Sequence, residues 1–503
     1  MKTNKIKTAI LLPALLLATA CSDFLEPEDS RYVESERVAD VLELTPDAIV
    51  QGIYSRAIQY AFYMAQHDDF GQKSLDLSVD FSAEDIAYYN PVRWFASIYR
   101  FEEHLANTPR PGRQWQYNYA NIRDLNTILI ALEGIDEVTL SESQRHLKGE
   151  ALALRAFHYF QLINLFQTGG EWNHIKDLPG VPVYTTPAIE GGSRGKVSDV
   201  YDIILADYDA AVPLLAGYDG GKGRISQTSA QLLAARANLY AGRYDKALTY
   251  SSAVVETTSL MPHSEYTGGF NNISNAEWLW GVDVTAENTN FYASFFSNMD
   301  SQGPGYGGGL GRYKCIDRRL YDNIRPDDVR KAVFADATGA VGADGKTVPY
   351  LQLKFTGTSG ASFLEDLVYL RSAEAYYIKA EAQVRTQGAA GIAAAQATLD
   401  IISNARATTG THSYTWDDSS NGLLDQISIH KRFELWGEGQ SAFEFNRLEK
   451  TIDRTYPGTN HPVGNITPGG DRALPWHDAL RTLQIPVKEL EGNPNITTAD
   501  QNP

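Results

Sequence analysis

The chain has 503 residues, with 62 acidic against 44 basic side chains and a formal net charge of −18. That balance argues against nucleic acid as a partner and against electrostatic docking on a membrane. With only two cysteines, Cys21 and Cys315, no disulfide framework is expected; burial alone must hold the fold, and a chain this long can supply it.

In chain order, residues 1–20 have the layout of a secretory signal. Lys2, Lys5 and Lys7 form a positive start, and Ala9 to Ala20 is an apolar run too short to span a bilayer comfortably. Leu17-Ala18-Thr19-Ala20-Cys21 then resembles a bacterial lipobox, with Ala18 where Leu is commoner. Lipid on Cys21 would supply the anchoring, since no other stretch is apolar enough to cross a membrane. Ser22 to Glu43 is acidic and poorly periodic and reads as a tether and entry strap. Thr45-Pro46-Asp47 has the form of a helix start, with a helix through Ile49, Ile53 and Ile58. Phe70 to Phe101 reads as loop-rich.

Gln114 to Leu132 carries an apolar stripe at helical spacing. Ser141-x-x-Gln144 resembles a capping box and opens a helix that runs from Gly149 to Phe166 and stops at Gly169-Gly170. Asp177 to Lys196 is loop, Ser198 to Leu215 helix, and Ser226 to Glu256 a helical hairpin. Residues from about 262 to 365 form a long irregular insertion, including the glycine tract Gly303 to Gly311, for which a flexible loop is the default. A β-hairpin is expected at Val341 to Val348 around Asp344-Gly345. Helices follow at Asp366 to Thr386, Gly391 to Thr408 and Leu423 to Trp436, before a Pro- and Gly-rich tail from Thr451.

Gly242-Arg-Tyr244-Asp-Lys-Ala247-Leu-Thr-Tyr250 reads as the turn and second helix of a tetratricopeptide repeat. Gly242 permits the tight turn, Tyr244 wedges between the paired helices, Ala247 lets them approach, and Tyr250 fills the next gap. Repeats stack because no single hairpin buries its own apolar face. The expected fold is therefore all-α: tetratricopeptide-like hairpins with long irregular insertions and minor β-hairpins, one domain over residues 21–503.

Several segments in collinear order resemble the SusD/RagB family. They are Asp23-Phe24-Leu25-Glu26 after the lipobox, Trp115-x-x-x-Tyr119-x-x-Ile122-x-x-x-Asn126, the Gly149 to Phe166 helix and Tyr201-x-x-Ile204-x-x-Asp207. Later come Tyr369-x-Arg371-x-Ala373-Glu374-x-Tyr376, Arg432-x-Glu434-Leu435-x-Gly437-Glu438-Gly439 with Phe443 to Arg447, and the Ile485-Pro486 and Asn493-Pro494-Asn495 ending. Glu444, Asn446 and Glu171-Trp172 depart from the usual pattern. The resemblance implies a lipid-anchored outer-membrane protein on the cell surface. It would present an oligosaccharide to a SusC-like TonB-dependent β-barrel transporter. Peptide or protein fragments are the alternative cargo, with a surface enzyme and a scaffold lacking any small ligand as further rivals.

Arg155, Arg371, Arg432, Glu434, Glu438 and Arg447 read as structural ion pairs beside apolar helix faces, so no catalytic residue is assigned. The ten histidines show no metal spacing, and Asp417-x-Ser419-x-Asn421-Gly422 starts like a calcium loop but has Ser428 at its twelfth position, so it reads as a turn. No metal and no cofactor are expected. The aromatic candidates in irregular stretches are Tyr88, Tyr89, Trp94, Phe291, Tyr292, Phe295, Phe296, Tyr306 and Tyr313, because flat rings pack on sugar faces while polar neighbours bond the hydroxyls. Trp94, Tyr292 and Tyr306 are the chosen ligand contacts, with Asn90 and Asn290 as polar helpers.

Overall fold

The computed structural model describes residues 46–503 apart from 136, 189, 463, 465, 466 and 469. The signal segment, Cys21, the strap and Thr45 lie outside the described residues.

The longer helices are α1 (Pro46–Arg56), α2 (Gln72–Asp80), α3 (Pro109–Glu133), α4 (Glu142–Leu165), α5 (Val197–Leu214), α6 (Gln227–Tyr240), α7 (Tyr244–Thr257), α8 (Ala373–Thr386), α9 (Gly388–Arg406), α10 (Ser420–Glu434) and α11 (Ser441–Arg447). From α3 to α9 each helix packs on the next in chain order. Local causes are visible at the ends. The Ser141 capping box opens α4, with Gln144 N–H donating to Ser141 Oγ at 3.3 Å and Ser141 N–H to Gln144 Oε1 at 3.0 Å. Gly242 turns α6 into α7 at φ 66°, and Ala247 is fully buried between them. α7 and α8 stay neighbours although the insertion separates them in sequence, so the insertion grows from the side of an unbroken stack.

The strands are short: β1 (Ile86–Tyr88), β2 (Trp278–Val282), β3 (Lys314–Ile316), β4 (Ala340–Val341), β5 (Thr347–Val348) and β6 (Leu367–Arg371). They pair antiparallel as β1 with β3, β2 with β6, and β4 with β5. The β4–β5 hairpin turns at Gly345, φ 82°, where the sequence places it.

Three expectations are corrected. The loop-rich stretch 70–101 contains α2, whose every residue is buried. Its buried charges find partners inside: Lys73 Nζ donates to Val368 O at 2.7 Å, and Asp80 accepts from Gly439 N–H at 2.8 Å and Ser441 N–H at 3.0 Å. The helix expected from Asp366 begins only at Ala373. Leu367–Arg371 is instead a wholly buried strand, because Trp278–Val282 lies beside it as a partner. The glycine tract is a packed turn. A Cβ on Gly307 would stand 2.5 Å from Asp300 O, and one on Gly305 would stand 2.6 Å from Ser297 Cα.

Apolar side chains gather in one core under α3–α7, a second beneath the insertion and a third among α8, α9 and α10. Buried charges bolt the second core to the stack. Arg371 bonds Glu277, reaches Glu434 at 3.0 Å and reaches Glu438 at 2.7 Å. Arg406 meets Glu277 at 2.8 Å, Arg330 meets Glu434 at 3.0 Å, and Lys354 meets Glu438 at 2.6 Å. Burial alone would raise the Glu438 carboxyl, but Arg371 and Lys354 hold it down at about 2.

Candidate functional site

At the surface of the second core, rings from five loops meet in a row. Trp94 and His67 stack with centroids 5.4 Å apart and planes 14° from parallel. Tyr306 lies 5.7 Å from each of them and shares a hydrogen bond with His67 Nδ1. Tyr60 meets His67 edge-on at 5.9 Å. On the other side Tyr292 stands 6.2 Å from Tyr306 and 5.2 Å from Phe363. His67, Trp94 and Tyr306 are half-buried, while Tyr60 and Tyr292 are exposed.

The backbone is held in unusual conformations to build this row. Ala61, Arg93, Phe95, Phe291 and Phe363 all have φ between 48° and 62°, a left-handed region that side chains with a Cβ rarely enter. Each lies beside, or is itself, a member of the row. Such conformations persist only where surrounding contacts impose them. Phe95 is buried against Phe81 at 5.3 Å, Arg100 donates to Pro91 O at 2.9 Å, and Tyr88 Oη donates to Trp94 O at 3.2 Å. Together they fix the loop that carries Trp94. The Tyr60–His67 loop is drawn in by Asp69, which accepts from the Tyr63 and Met64 N–H groups at 2.8 Å each. Tyr306 is set by the packed glycines around it, with Gly307 N–H donating to Ser297 O at 2.7 Å. Burial and nearby Tyr60 raise the Tyr306 phenol, against the opposing Trp94 indole and Arg93, so it stays neutral at physiological pH.

The structure brings Trp94, Tyr292 and Tyr306 together. Asn290 donates its amide to Ile58 O at 2.6 Å and so fastens the Tyr292 turn to the chain after α1. Asn90 is half-exposed, and its amide makes no hydrogen bond among the described residues. Tyr88, Phe295, Phe296 and Tyr313 are core, at 0–2 % exposure. Tyr89 and Phe291 are exposed outside these ring pairs. Tyr60, His67 and Phe363 were not legible in the sequence, since only long-range packing carries them to the row.

The charged motif residues sit elsewhere, in buried pairs. Arg155 meets Asp207 at 2.7 Å, Arg432 bonds Asp85, and Arg447 meets Glu381 at 2.7 Å and Glu444 at 2.6 Å. Asp417 accepts from Ser419, which caps α10, so that stretch is a turn. Among the described residues, no group of three or more His, Cys, Asp or Glu is placed to hold a metal. Cys315 is buried, and burial pushes its thiol up.

Stacked helical hairpins beside an aromatic surface, built jointly by the loops after α1 and α2 and by the insertion, define a repeat-scaffold protein. Two family models match: one described as "Starch-binding associating with outer membrane" over residues 24–239, and one described as "SusD family" over residues 337–503. The chain belongs to the SusD/RagB family. A SusD-like carbohydrate binding protein from Bacteroides vulgatus ATCC 8482 is 25 % identical, with a TM-score of 0.78, over 90 % of this chain and 97 % of its own. A SusD superfamily protein from Bacteroides thetaiotaomicron VPI-5482 is 23 % identical, TM-score 0.73, over 92 % and 99 %. Surface glycan-binding protein A from Bacteroides thetaiotaomicron, in complex with laminarihexaose, is 16 % identical, TM-score 0.66, over 92 % and 99 %. No curated protein matches the chain. Tyr292 and Tyr306 fall between the two family matches, and Trp94 within the first.

Proposed function

We propose that the chain captures an oligosaccharide on the cell surface and delivers it to a SusC-like TonB-dependent β-barrel, held at the outer membrane by lipid on Cys21. The observation that carries this reading is the row of half-exposed rings around Trp94, Tyr306 and Tyr292. Flat apolar faces beside hydroxyls and a free amide at Asn90 match a pyranose, which is apolar on its faces and polar at its rim. The carbohydrate-binding relatives from Bacteroides support it. Among the described residues no helix is long and apolar enough to cross a membrane, which accords with anchoring by lipid. On this reading the sugar leaves unaltered: glycoside cleavage needs two opposed carboxylates in a cleft, and the motif carboxylates Glu277, Glu434, Glu438 and Glu444 are held in buried ion pairs.

The test is a panel of soluble polysaccharides and of peptides run against the mature protein by affinity electrophoresis. Retardation by at least one glycan, without chain shortening of that glycan, is the expected result. Retention by peptides alone would move the reading to peptide cargo, and glycan shortening would make the protein an enzyme.

A further inference from the structure

Two arginines beside the ring row hold nothing. Among the described residues, every arginine guanidinium except those of Arg93 and Arg312 makes an ion pair or a hydrogen bond. Arg93 is exposed and directly precedes Trp94. Burial raises the Tyr306 phenol, and the Arg93 charge opposes that rise. Arg312 is half-buried and closes the Tyr306 turn, its N–H donating to Tyr306 O at 3.1 Å. Burial likewise raises the Tyr88 phenol, and Arg312 is the first charge to oppose it; Tyr88 Oη in turn donates to the Trp94 carbonyl at 3.2 Å. Both charges therefore act on the Trp94–Tyr306 end of the row. The backbones are fixed, since Arg93 O accepts from Ala96 N–H at 2.8 Å and Arg312 O from Lys314 Nζ at 2.8 Å. Each guanidinium keeps five N–H donors that the protein does not use.

The carboxylates nearby in the chain are engaged elsewhere. Asp68, next to His67, meets Arg113 at 3.3 Å, Glu102 meets Arg100 at 2.8 Å, and Asp344 meets Lys346 at 2.6 Å. Asp300 and Glu365 are buried and accept from the N–H groups of the 357–359 turn. Asp283 and Glu287 line the pocket behind Asn290, on the Tyr292 side. Lys314 adds to the imbalance. It is fully buried, its ammonium lies 4.4 Å from the Tyr88 ring centroid, and it has no carboxylate partner among the described residues. Burial and then Arg312 push that ammonium down to about 7. We propose that the captured glycan is anionic, and that Arg93 and Arg312 grip its carboxylate or sulfate while the Trp94 and Tyr306 rings pack on the sugar. The inference rests on the glycan-binding reading and narrows it. A guanidinium presents its donors as a planar fork that matches both acid groups, and such charge-assisted bonds are about twice as strong as neutral ones.

The net charge of −18 does not oppose this. At physiological ionic strength a charge is screened beyond about 8 Å, so the unpaired arginines set the potential where the ligand's acid group sits. The acidic remainder instead orients the ligand. An anionic chain is repelled elsewhere on the surface and by Asp283 and Glu287, so its charged residue goes to the Trp94 end and its less charged part toward Tyr292.

The experiment uses the mature chain carrying Cys21→Ser, alone and with Arg93→Gln/Arg312→Gln. The probes are polygalacturonate, alginate, xanthan, chondroitin sulfate and dextran sulfate, each run in affinity electrophoresis beside its carboxyl-reduced or desulfated form. At least one anionic polymer should retard the protein, with its neutral form bound at least about tenfold more weakly. The double arginine variant should lose about tenfold or more toward the anionic polymer and keep its thermal midpoint, and added salt should weaken the parent protein but hardly the variant. Which polymers bind tells carboxylate from sulfate. Equal retardation by an anionic polymer and its neutral form, or equal affinity in parent and variant, overturns the proposal and leaves the glycan reading standing. Retention of the anionic polymers that survives Trp94→Ala/Tyr306→Ala also overturns it, as ion exchange away from the row. No retention by any polymer, charged or neutral, removes the proposal and the glycan reading together.

Discussion

Trp94 sits between two residues in left-handed conformation, and that detail explains how a large ring stays half-exposed. Phe95 is buried below it, and the paired reversals at Arg93 and Phe95 turn the intervening ring outward. Two residues in the interior show how tightly the scaffold constrains charge. His158 on α4 is buried, and its Nδ1 faces Asn118 Oδ1 at 2.8 Å. Burial, with Arg56 nearby, pushes its imidazole down to about 3. Below pH 6.5 the unfolded chain takes up a proton that the folded chain refuses until about pH 3, so stability falls as pH drops through that window. Between pH 7 and 5 the protein should lose about 2 kcal/mol more than His158→Gln, read by urea unfolding at each pH. Arg371 is the second. Arg371→Met leaves Glu277, Glu434 and Glu438 buried with fewer partners and should cost about 3–5 kcal/mol, seen as a lower urea midpoint at neutral pH.

At the scale of elements, the repeat helices were legible because their apolar steps, the Ser141 box and the Gly242 turn agree with one another. α2 was hidden because its buried charges Lys73 and Asp80 find distant partners in Val368 O and Gly439 N–H, and periodicity says nothing of those. β6 was read as helix because Leu367–Leu370 is a short apolar run directly joined to one, and such a run has no period of its own. The three chosen rings stood out because they lie in irregular stretches where core packing gives no reason for them. Their neighbours Tyr60, His67 and Phe363 depend on contacts across as many as 239 positions, such as that between His67 and Tyr306. The glycine tract, read as flexible, turns out to be the device that sets Tyr306. Gly307→Ala should therefore shift Tyr306 and lower glycan affinity by about tenfold or more, a loss of roughly 1.4 kcal/mol. The thermal midpoint of the α3–α9 stack should move little. Equal loss of both would instead assign the tract to stability alone.

Across the whole molecule, labour is divided between a stack that needs only its own helices and an insertion that hangs from it by buried ion pairs. The stack is continuous through α7 and α8, so loops can vary in length and chemistry without disturbing it. The net charge of −18 keeps the surface at large away from anionic partners and leaves recognition to the ring row and its immediate surroundings. On the proposed function, opposing demands meet at the ring row, since a ligand bound for onward transfer has to be held specifically yet released. Several ring contacts of about 1–3 kcal/mol each satisfy both better than one deep enclosed pocket. Isothermal titration of a glycan from the panel into the mature protein and into Trp94→Ala/Tyr306→Ala tests this most directly. Saturable binding that falls by at least tenfold in the variant, with an unchanged far-ultraviolet spectrum, is the predicted result. Equal affinity in the two folded proteins would contradict the account.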